Sequence, residues 1–356
     1  MLTEEFLGPQ ARVGLAVVRG YVGKRQFHGF RAPISGGGTA FCRLATVWRY
    51  HPYEKRGWVR GNVVLRQFGV PAGHLGENAT MAMRVLTLNL HCWQETDALA
   101  KLHTVARVIA AQGIDVVMLQ EAAQHKDADV VGELHGVTIK TDNAARIIVE
   151  HLRDEFGLAF DYAWDWAHLG WDVWEEGVAV LTRGRIVDAF GEWITESKSH
   201  DDWISRKALF ADVEIDGQQL RVASTHLGWW NHEREPFIDQ FIELHALCFP
   251  PSHTTLLGGD FNVAASSDGY NFMMNHEGLI DCWLECRPFD MLQPTIGGQI
   301  DGWQDGDPEG MRIDYVLIDQ RSPLRPVSAH TVFGPGDYGV VSDHLGVVVD
   351  FEVRAS

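Results

Sequence analysis

From Arg84 onward, short apolar runs alternate with amphipathic stretches along the chain. The runs Arg84–Leu90, Asp115–Leu119 and Gly177–Thr182 are rich in apolar residues and bounded by polar or turn residues, which is typical of buried strands. The stretch Thr96–Gln112 instead repeats its apolar positions with the period of a helix and stops at Gly113. The pattern therefore predicts a strand, a helix and a second strand in succession.

The middle and the end of the chain mix hairpins with helices. Asp142 is predicted to cap a second helix that ends at Gly157. Two alternating runs, Lys207–Ile215 and Gln219–His226, flank Asp216-Gly217, a strong hairpin signal. The remaining predicted elements are a helix over Glu235–Leu247 and strands over Thr254–Leu257, Met311–Ile318, Val327–Val332 and Gly346–Val353. Because strict βαβ alternation is absent, we expect an α+β sandwich rather than a doubly wound sheet.

The first 82 residues differ from the rest of the chain. They are rich in Gly, Arg and Val and contain short β-like runs, but no helix with a sustained period. We expect an N-terminal extension over residues 1–82 ahead of a main domain over residues 83–356. The extension is interpreted as a small appended β element, as a poorly ordered tail, or as sequence upstream of a true start at Met81 or Met83.

The charge balance changes at about the same place. The 356 residues carry 30 Lys and Arg against 48 Asp and Glu, a formal net charge of −18. Residues 1–80 hold 11 basic and 4 acidic residues, whereas residues 81–356 hold 19 basic and 44 acidic residues, a balance of −25. This acidic excess disfavours loose electrostatic binding of nucleic acid, which requires a basic surface, and it suits metal capture.

The remaining composition indicates a cytoplasmic protein. Five cysteines without a CxxC pair are expected to be free thiols of a reducing compartment. No apolar run reaches the ~18 residues of a membrane span. The first residues, MLTEEFLGPQAR, are acidic where a signal peptide would be basic.

Polar side chains collect where the apolar strands end. Because loops at strand ends carry function, five such clusters are hard to explain as turn residues alone. The clusters are Asn89 with His91, Gln120 with Glu121, Thr225 with His226, Asp260 with Asn262, and Asp314 with Ser342, Asp343 and His344.

The carboxylates and amides in these clusters point to a metal. Glu121, Asp260 and Asp343 offer hard oxygen ligands, which suit Mg²⁺ or Mn²⁺ rather than Zn²⁺. Asn89 and Asn262 can add carbonyl ligation, or donate to a phosphate or an attacking water. No Ser or Cys nucleophile accompanies them at motif spacing.

The histidines add acid–base chemistry. His226 and His344 can donate to phosphate oxygens or move protons near neutral pH. Asp314 can orient an imidazole and raise its basicity. Together with the oxygen ligands, these residues indicate metal-assisted attack of water on a phosphoester.

Six motifs in the order LTLNLH, LQE, STHL, GGDFN, RIDYV and SDH resemble the endonuclease/exonuclease/phosphatase superfamily. The resemblance covers about Arg84 to Val353, and the order of six motifs makes it highly specific. It implies a four-layer α/β/β/α sandwich of two mostly antiparallel sheets flanked by helices, with the site at the sheet edge. Residues 83–356 would then be the catalytic domain.

The resemblance also implies roles for the metal and water residues. Asn89 and Glu121 look like metal-site residues, and Asp343 looks like a carboxylate on the metal side. Asp260 resembles the residue that positions or activates water, and Asn262 resembles a phosphate contact.

For the histidines, the resemblance implies two separate tasks. His344 looks like the catalytic histidine, with Asp314 as its carboxylate partner. His226 looks like a second histidine that faces the phosphate. The implied cofactor is Mg²⁺ or Mn²⁺.

Within the superfamily, several segments are similar to the sugar-phosphatase branch typified by maltose 6′-phosphate phosphatase. These segments are LNLHCWQE, WDWAHLGWDVWEEGVAVLT, THLGWW and QIDGWQD. Eleven of the 13 tryptophans follow Arg84, and aromatic faces can stack on sugar rings. The predicted substrate contacts are Trp93, Trp229, Trp303, His91, His168 and Arg206.

We therefore expect a divalent-metal-dependent phosphomonoesterase that hydrolyses a phosphorylated sugar. A nuclease of the same superfamily is the first alternative, and it would need cations from residues 1–80 to line a basic groove. A non-catalytic binding protein on this scaffold is the second alternative, which the complete set of polar residues disfavours.

Overall fold

The computed structural model of this protein describes residues 82–298, 300, 302, 303 and 306–353, and the backbone of four earlier strands. The chain divides into two compact units, Met1–Glu77 and Asn78–Ser356. The first unit contains two antiparallel ribbons, β1 (Ala16–Val22) with β2 (Arg25–Arg31) and β3 (Val47–Arg49) with β4 (Val59–Gly61). Met81, the expected alternative start, lies outside the described residues.

The described residues of the second unit form fourteen strands and five α-helices. The strands are β5 (Ala82–Asn89), β6 (Val116–His125), β7 (Val130–Leu134), β8 (Val137–Lys140), β9 (Asp161–Gly170), β10 (Trp174–Thr182), β11 (Arg185–Trp193), β12 (Lys207–Ile215), β13 (Gln218–His226), β14 (Thr255–Asp260), β15 (Leu279–Asp281), β16 (Asp314–Asp319), β17 (Leu324–Val332) and β18 (Gly346–Val353). The helices are α1 (Ala98–Gln112), α2 (Ala144–Phe156), α3 (Phe237–Cys248), α4 (Asp268–Met274) and α5 (Cys282–Cys286). No helix among the described residues is both long and apolar enough to cross a membrane.

Two six-stranded sheets, each with a parallel pair at its centre, carry the fold. Sheet 1 has the order β17-β18-β5-β6-β10-β9, and sheet 2 has the order β11-β12-β13-β14-β16-β15. The pairs β5–β6 and β13–β14 are parallel, and the other neighbours are antiparallel. Parallel neighbours need a crossover connection, which α1 supplies in sheet 1 and α3 in sheet 2.

The alternation of side chains along β5 explains the layers. Leu86 and Leu88 pack among the side chains of α1 and α2, whereas Met83 and Val85 pack against sheet 2. On the far side, sheet 2 packs against α3 and α4 through a third apolar cluster that includes Phe241. The order is therefore helices, sheet, sheet, helices, and the expected four-layer α+β sandwich is confirmed.

The two sheets are tied together where their parallel strands end. Gln120 Nε2 in sheet 1 donates to Ser224 Oγ in sheet 2 at 3.0 Å, and that hydroxyl donates to the Leu119 carbonyl at 2.8 Å. Gly258 of the GGDFN motif permits this approach, since a Cβ there would lie 2.3 Å from the Met118 side chain. The motif glycine therefore serves sheet packing, and the strand ends of both sheets meet at one edge.

Local predictions fared differently. The Asp216-Gly217 hairpin is confirmed, with φ of 48° and 81° at the two turn residues. The predicted cap of α2 was wrong: Asn143, not Asp142, accepts the backbone N–H of Arg146 at 3.0 Å. The Asp142 carboxylate instead accepts the His125 N–H, so it ties the helix entry to β6. The elements that the sequence pattern missed are β7, β8, β9, β11, β15, α4 and α5.

Candidate active site

The ends of the two parallel strand pairs bring four motifs together. Asn89 ends β5, while His226 and Asp260 end the neighbouring strands of sheet 2. The Asn89 amide Nδ2 donates to Glu121 Oε1 at 2.8 Å and to Asp260 Oδ2 at 3.1 Å. One buried amide therefore links a carboxylate from each sheet.

A β-bulge turns Glu121 into the site. Gly177 of β10 pairs with Ala122 and Ala179 pairs with Leu119, so two residues of β6 face one residue of β10. Glu121 lies at this bulge with φ of 47°, and bulges commonly re-aim side chains at active sites. Burial and the charge of Glu176 raise the pKa of the Glu121 carboxyl to about 8. A nearby cation would stabilise its ionised form.

Asp260 and Asn262 hold each other in place after β14. Asp260 Oδ1 accepts the Asn262 backbone N–H at 2.9 Å, and Asn262 has φ of 50°. The Asn262 amide Nδ2 contacts the Leu227 carbonyl at 2.9 Å and His226 Nε2 at 3.1 Å. Both amide hydrogens are thus engaged, and the Trp303 indole donates to Asn262 Oδ1 at 2.9 Å.

These contacts define the state of His226. Because Asn262 Nδ2 can only donate, His226 Nε2 accepts, and the remaining ring hydrogen lies on Nδ1. Burial and the charge of Arg206 hold the pKa of His226 well below its usual range, in agreement with a neutral ring. Its Nδ1 lies 4.0 Å from Glu121 Oε1, so the free N–H faces the metal-side carboxylate.

His344 has the opposite state. Its Nδ1 lies 3.0 Å from Asp314 Oδ2, and its Nε2 lies 3.7 Å from Asp260 Oδ2. Burial acts to lower its pKa, but the charges of Asp314 and Asp260 and the Asp314 hydrogen bond raise it to about 10. His344 is therefore an imidazolium between two carboxylates. Burial raises the pKa of Asp260 to about 7.

The donor chemistry of the site fits a divalent cation with oxygen ligands. The Glu121 and Asp343 carboxylates line one cavity, and the Asn89 amide lies against Glu121. Two groups of side chains have ligand atoms within 4.8 Å of one another, His91 with Glu95 and Asp343, and Asp260 with Asp314 and His344. Among the described residues, Asp314 Oδ1 and His91 Nε2 are buried without a hydrogen-bond partner. The carboxylate and amide oxygens of Glu121, Asp343 and Asn89 suit Mg²⁺-like ions, whereas the imidazoles of the two groups also suit zinc.

One cavity of about 390 Å³ gathers most of the predicted site residues. Asn89 and Asp314 lie behind its surface and hydrogen-bond to residues that line it. The predicted residues that line the cavity are His91, Glu121, His168, Arg206, His226, Trp229, Asp260, Asn262, Trp303, Asp343 and His344.

Trp93 lies elsewhere. Its indole donates to the Ala123 carbonyl at 3.1 Å and stacks on Trp174, with ring centroids 5.8 Å apart. It packs against the core of sheet 1 and is not among the described residues that line the cavity. Its predicted contact with substrate therefore has no support in the structure, because the turn after β5 directs it inward.

Several lining residues were not predicted from the sequence. Glu176 Oε1 lies 3.2 Å from His168 Nε2, and Trp171, Trp203 and Gln94 also line the cavity. Burial acts to raise the pKa of Glu176, but the hydrogen bond and charge of His168, with the charge of Arg206, lower it to about 2. The one available signal was a glutamate pair directly before an apolar strand, in WEEGVAVLT.

Comparison with known proteins places these residues in a family context. The profile of the Endonuclease/Exonuclease/phosphatase family matches residues 86–344. An endonuclease/exonuclease/phosphatase family protein from Leptotrichia buccalis C-1013-b is 27% identical, with a TM-score of 0.66 over 76% of this chain and 99% of that one. No curated protein matches significantly.

Two further solved structures are similar to this chain in fold alone. A Bacteroides thetaiotaomicron mannosyl-6-phosphatase is 15% identical, with a TM-score of 0.52 over 76% of this chain and 99% of that one. D. rerio TDP2 complexed with a single-strand DNA product is 15% identical, with a TM-score of 0.54 over the same shares. The shared sandwich therefore accompanies both phosphatases and DNA-processing proteins.

Proposed function

Since this chain belongs to the endonuclease/exonuclease/phosphatase family, whose members hydrolyse phosphoester bonds, we propose that it is a divalent-metal-dependent phosphomonoesterase acting on a sugar phosphate. The observation that carries the proposal is the lining of the cavity. It combines most of the proposed reaction residues with four tryptophans, Trp171, Trp203, Trp229 and Trp303. Among the lining residues that the structure describes, Arg206 is the one Lys or Arg.

This lining favours a small substrate with one phosphate. A nuclease neutralises several backbone phosphates with Lys and Arg side chains. A sugar phosphatase needs one phosphate site and a surface for the sugar, and aromatic faces with a few polar groups provide such a surface. We therefore propose a soluble sugar phosphate as substrate and no nucleic-acid partner.

Glu121, Asn89 and Asp343 would hold the cation, Mg²⁺ or Mn²⁺. When bound there, it supplies positive charge for the phosphoryl oxygens. The side chains of the chain supply the rest. Asp260, whose pKa is about 7, accepts a proton from the attacking water. Water then adds to phosphorus as the bond to the sugar oxygen breaks, and that oxygen takes a proton from solvent in the open cavity.

The histidines and Asn262 stabilise the charge that develops. His344, held as an imidazolium by Asp314, donates from Nε2 towards the phosphoryl group. His226 offers its Nδ1 hydrogen, because Asn262 occupies Nε2. In this mechanism Asn262 positions His226 and does not itself contact the phosphate.

A phosphate-release screen tests the proposal. The full chain, with Mg²⁺ or Mn²⁺, is offered hexose and disaccharide phosphates, 5′-nucleotides, an oligonucleotide and plasmid DNA, with the His344→Ala variant as control. We expect phosphate release from sugar phosphates and little cleavage of DNA. Efficient DNA cleavage without release from any sugar phosphate would establish the nuclease alternative, and binding without any turnover would establish the non-catalytic one.

A further inference from the structure

A second group of cavity-lining side chains comes from outside the six family motifs. Trp171, Glu176, Trp203 and Arg206 line the same cavity as the reaction residues. They lie at the β9–β10 hairpin and in the segment that leads into β12. We call these four side chains the recognition wall.

Arg206 gives this wall a buried donor. Its side chain is anchored through Nη1, which donates to the Trp203 carbonyl at 2.8 Å and to the Ser205 carbonyl at 3.2 Å. The residue is only 5% exposed, and its Nε is buried without a partner among the described residues. A buried guanidinium N–H without an acceptor destabilises the folded protein. A hydrogen-bond acceptor on a ligand in the cavity would remove that cost.

Glu176 gives the wall an acceptor. His168 Nε2 lies 3.2 Å from Glu176 Oε1, and His168 Nδ1 lies 3.0 Å from the Ser205 carbonyl, so the imidazole fixes the carboxylate. The other oxygen, Oε2, lies over Gly170, where a Cβ would approach it to 2.7 Å. The carboxylate is therefore held in one position beside the cavity.

Two tryptophans give the wall exposed aromatic faces. Trp171 is 67% exposed and Trp203 is 53% exposed, although large apolar side chains usually avoid water when a core is available. Trp171 has φ of 52° and its neighbour Asp172 has φ of 61°. Two consecutive left-handed residues are the geometry of a tight hairpin turn, so the β9–β10 turn places Trp171 at its tip.

The segment that carries Trp203 is held rigidly. The Glu235 carboxylate accepts the backbone N–H groups of Glu196 and Ser197 at 3.1 and 2.7 Å. On the other side, the Leu169 N–H donates to the His200 carbonyl at 2.8 Å. Trp203 is therefore exposed but preorganised, which lowers the entropy lost on binding a ligand.

We propose that the recognition wall binds the leaving group of the substrate as a neutral sugar ring. Arg206 Nε–H donates to one ring hydroxyl, Glu176 accepts from a hydroxyl, and Trp171 and Trp203 cover the C–H face of the ring. A donor and an acceptor fixed beside aromatic faces match the alternating hydroxyls and apolar face of a pyranose. This inference rests on the proposed function. It extends that function by assigning sugar recognition to residues outside the six family motifs.

The kinetic test compares two leaving groups on the full chain with Mg²⁺. The readout is the ratio of kcat/KM for glucose 6-phosphate to kcat/KM for methyl phosphate, which has an alkyl leaving group but neither hydroxyls nor a ring that stacks on tryptophan. We expect Glu176→Gln and Trp203→Ala each to lower this ratio about tenfold, and Trp203→Phe to lower it less because an aromatic face remains. The matched control is Phe289→Ala, since Phe289 is fully exposed and does not line the cavity.

A binding measurement separates this inference from the proposed function. A glucose 6-phosphonate analogue and methyl phosphonate, neither of which can be hydrolysed, are titrated while tryptophan fluorescence is recorded. We expect tighter binding of the sugar analogue by the wild type, and loss of that preference in Glu176→Gln and Trp203→Ala.

The outcomes distinguish the two claims. If sugar phosphates are hydrolysed but every variant keeps the wild-type ratio and binding preference, the recognition wall is overturned and the proposed function stands. If no sugar phosphate is hydrolysed but the sugar analogue binds with the expected loss in the variants, the wall stands and the proposed function fails. Equal binding of the two phosphonates by the wild type, with no hydrolysis, overturns both.

Discussion

The two sides of the cavity are built from different kinds of structure. Asn89, His226 and Asp260 stand at the ends of paired strands, and Asp314 begins β16 beside them. Trp171 instead lies at a hairpin tip, and the other tryptophan of the recognition wall lies in the segment before β12. In the proposed function, sheet register fixes the atoms that would meet the phosphate, while connecting segments supply the two tryptophans that would meet the leaving group.

Burial separates the two tryptophans of the recognition wall from the most buried reaction residues, whereas Arg206 of the wall is itself buried. Asp260, Asp314 and His344 are buried, and each has charged neighbours within hydrogen-bonding or ion-pairing distance. Trp171 and Trp203 are more than half exposed. Buried, mutually bonded groups tolerate little change, whereas exposed side chains on connecting segments can change without disturbing the sheets. A family can therefore keep one chemistry and vary its substrate.

Removal of the metal is expected to have the largest effect on turnover. It should act through the residues around the phosphate and not through the recognition wall. EDTA should abolish phosphate release, and Mg²⁺ or Mn²⁺ should restore it better than Zn²⁺, because the donors are carboxylate and amide oxygens. Among single changes, Glu121→Gln should weaken the dependence on metal concentration most. Activity assays over a metal titration measure both effects, and full turnover in EDTA would contradict the mechanism.

Loss of the His344–Asp314 pair is expected to have the next largest effect. His344→Ala should lower kcat roughly 10²–10⁴-fold, the usual range for a positioned acid–base group. Asp314→Asn should also lower kcat while the circular dichroism spectrum stays unchanged. Because His344 is proposed to meet the phosphate and Asp314 acts through it, turnover of glucose 6-phosphate and of methyl phosphate should fall equally. Turnover close to the wild-type rate in either variant would show that the pair has been assigned wrongly.

Trp303 and Trp229 test whether the two sides are independent. Trp229→Ala should raise KM for the sugar phosphate about threefold to tenfold with little change for methyl phosphate, since methyl phosphate has no ring to place on the indole face. Trp303→Ala should raise KM and also lower kcat, because its indole donates to Asn262 Oδ1, which lies behind His226. Steady-state kinetics with both substrates measures KM and kcat separately. An unchanged kcat in Trp303→Ala would show that Trp303 does not act through Asn262 and His226.

Removal of residues 1–82 is expected to have the smallest effect. The six motifs and both sides of the cavity lie beyond them, and Met83 already belongs to β5, with its side chain between the sheets. A chain that starts at Met83 should fold, keep its melting temperature and retain metal-dependent activity with both substrates. Insolubility or lost activity would instead make the segment an integral part of the catalytic domain.

The reaction side could be predicted from sequence because its signals are local. An apolar run shows where a strand ends, and a polar residue at that point lies at the sheet edge. Asn89, Asp260 and His344 were found in this way and lie around one cavity. The α+β class and the Asp216-Gly217 turn follow from the same local rules, whereas the four-layer order was implied by the family resemblance.

The site features that could not be predicted depend on pairings between segments that are distant in sequence. The bulge that aims Glu121 exists because of the register between β6 and β10, which no single run reveals. From the sequence alone Glu176 is interpreted as an exposed strand residue, because the sequence does not show that His168 is its partner. The α2 cap was missed by one residue because Asp142 and Asn143 are both good caps, and the His125 N–H recruits the first.

The strand order of sheet 1 has a consequence for how the chain folds during synthesis. All strands of sheet 2 lie within the continuous stretch from β11 to β16, whereas β18, the latest strand, inserts between β17 and β5. A nascent chain that ends at Asp319 can thus pair sheet 2 completely while β5 keeps an open edge, which invites aggregation. We expect limited proteolysis of ribosome-arrested chains to show protected sheet 2 and labile sheet 1 until β18 emerges. His344 lies two residues before that strand, so this proposed catalytic residue reaches its place only when β18 closes the sheet.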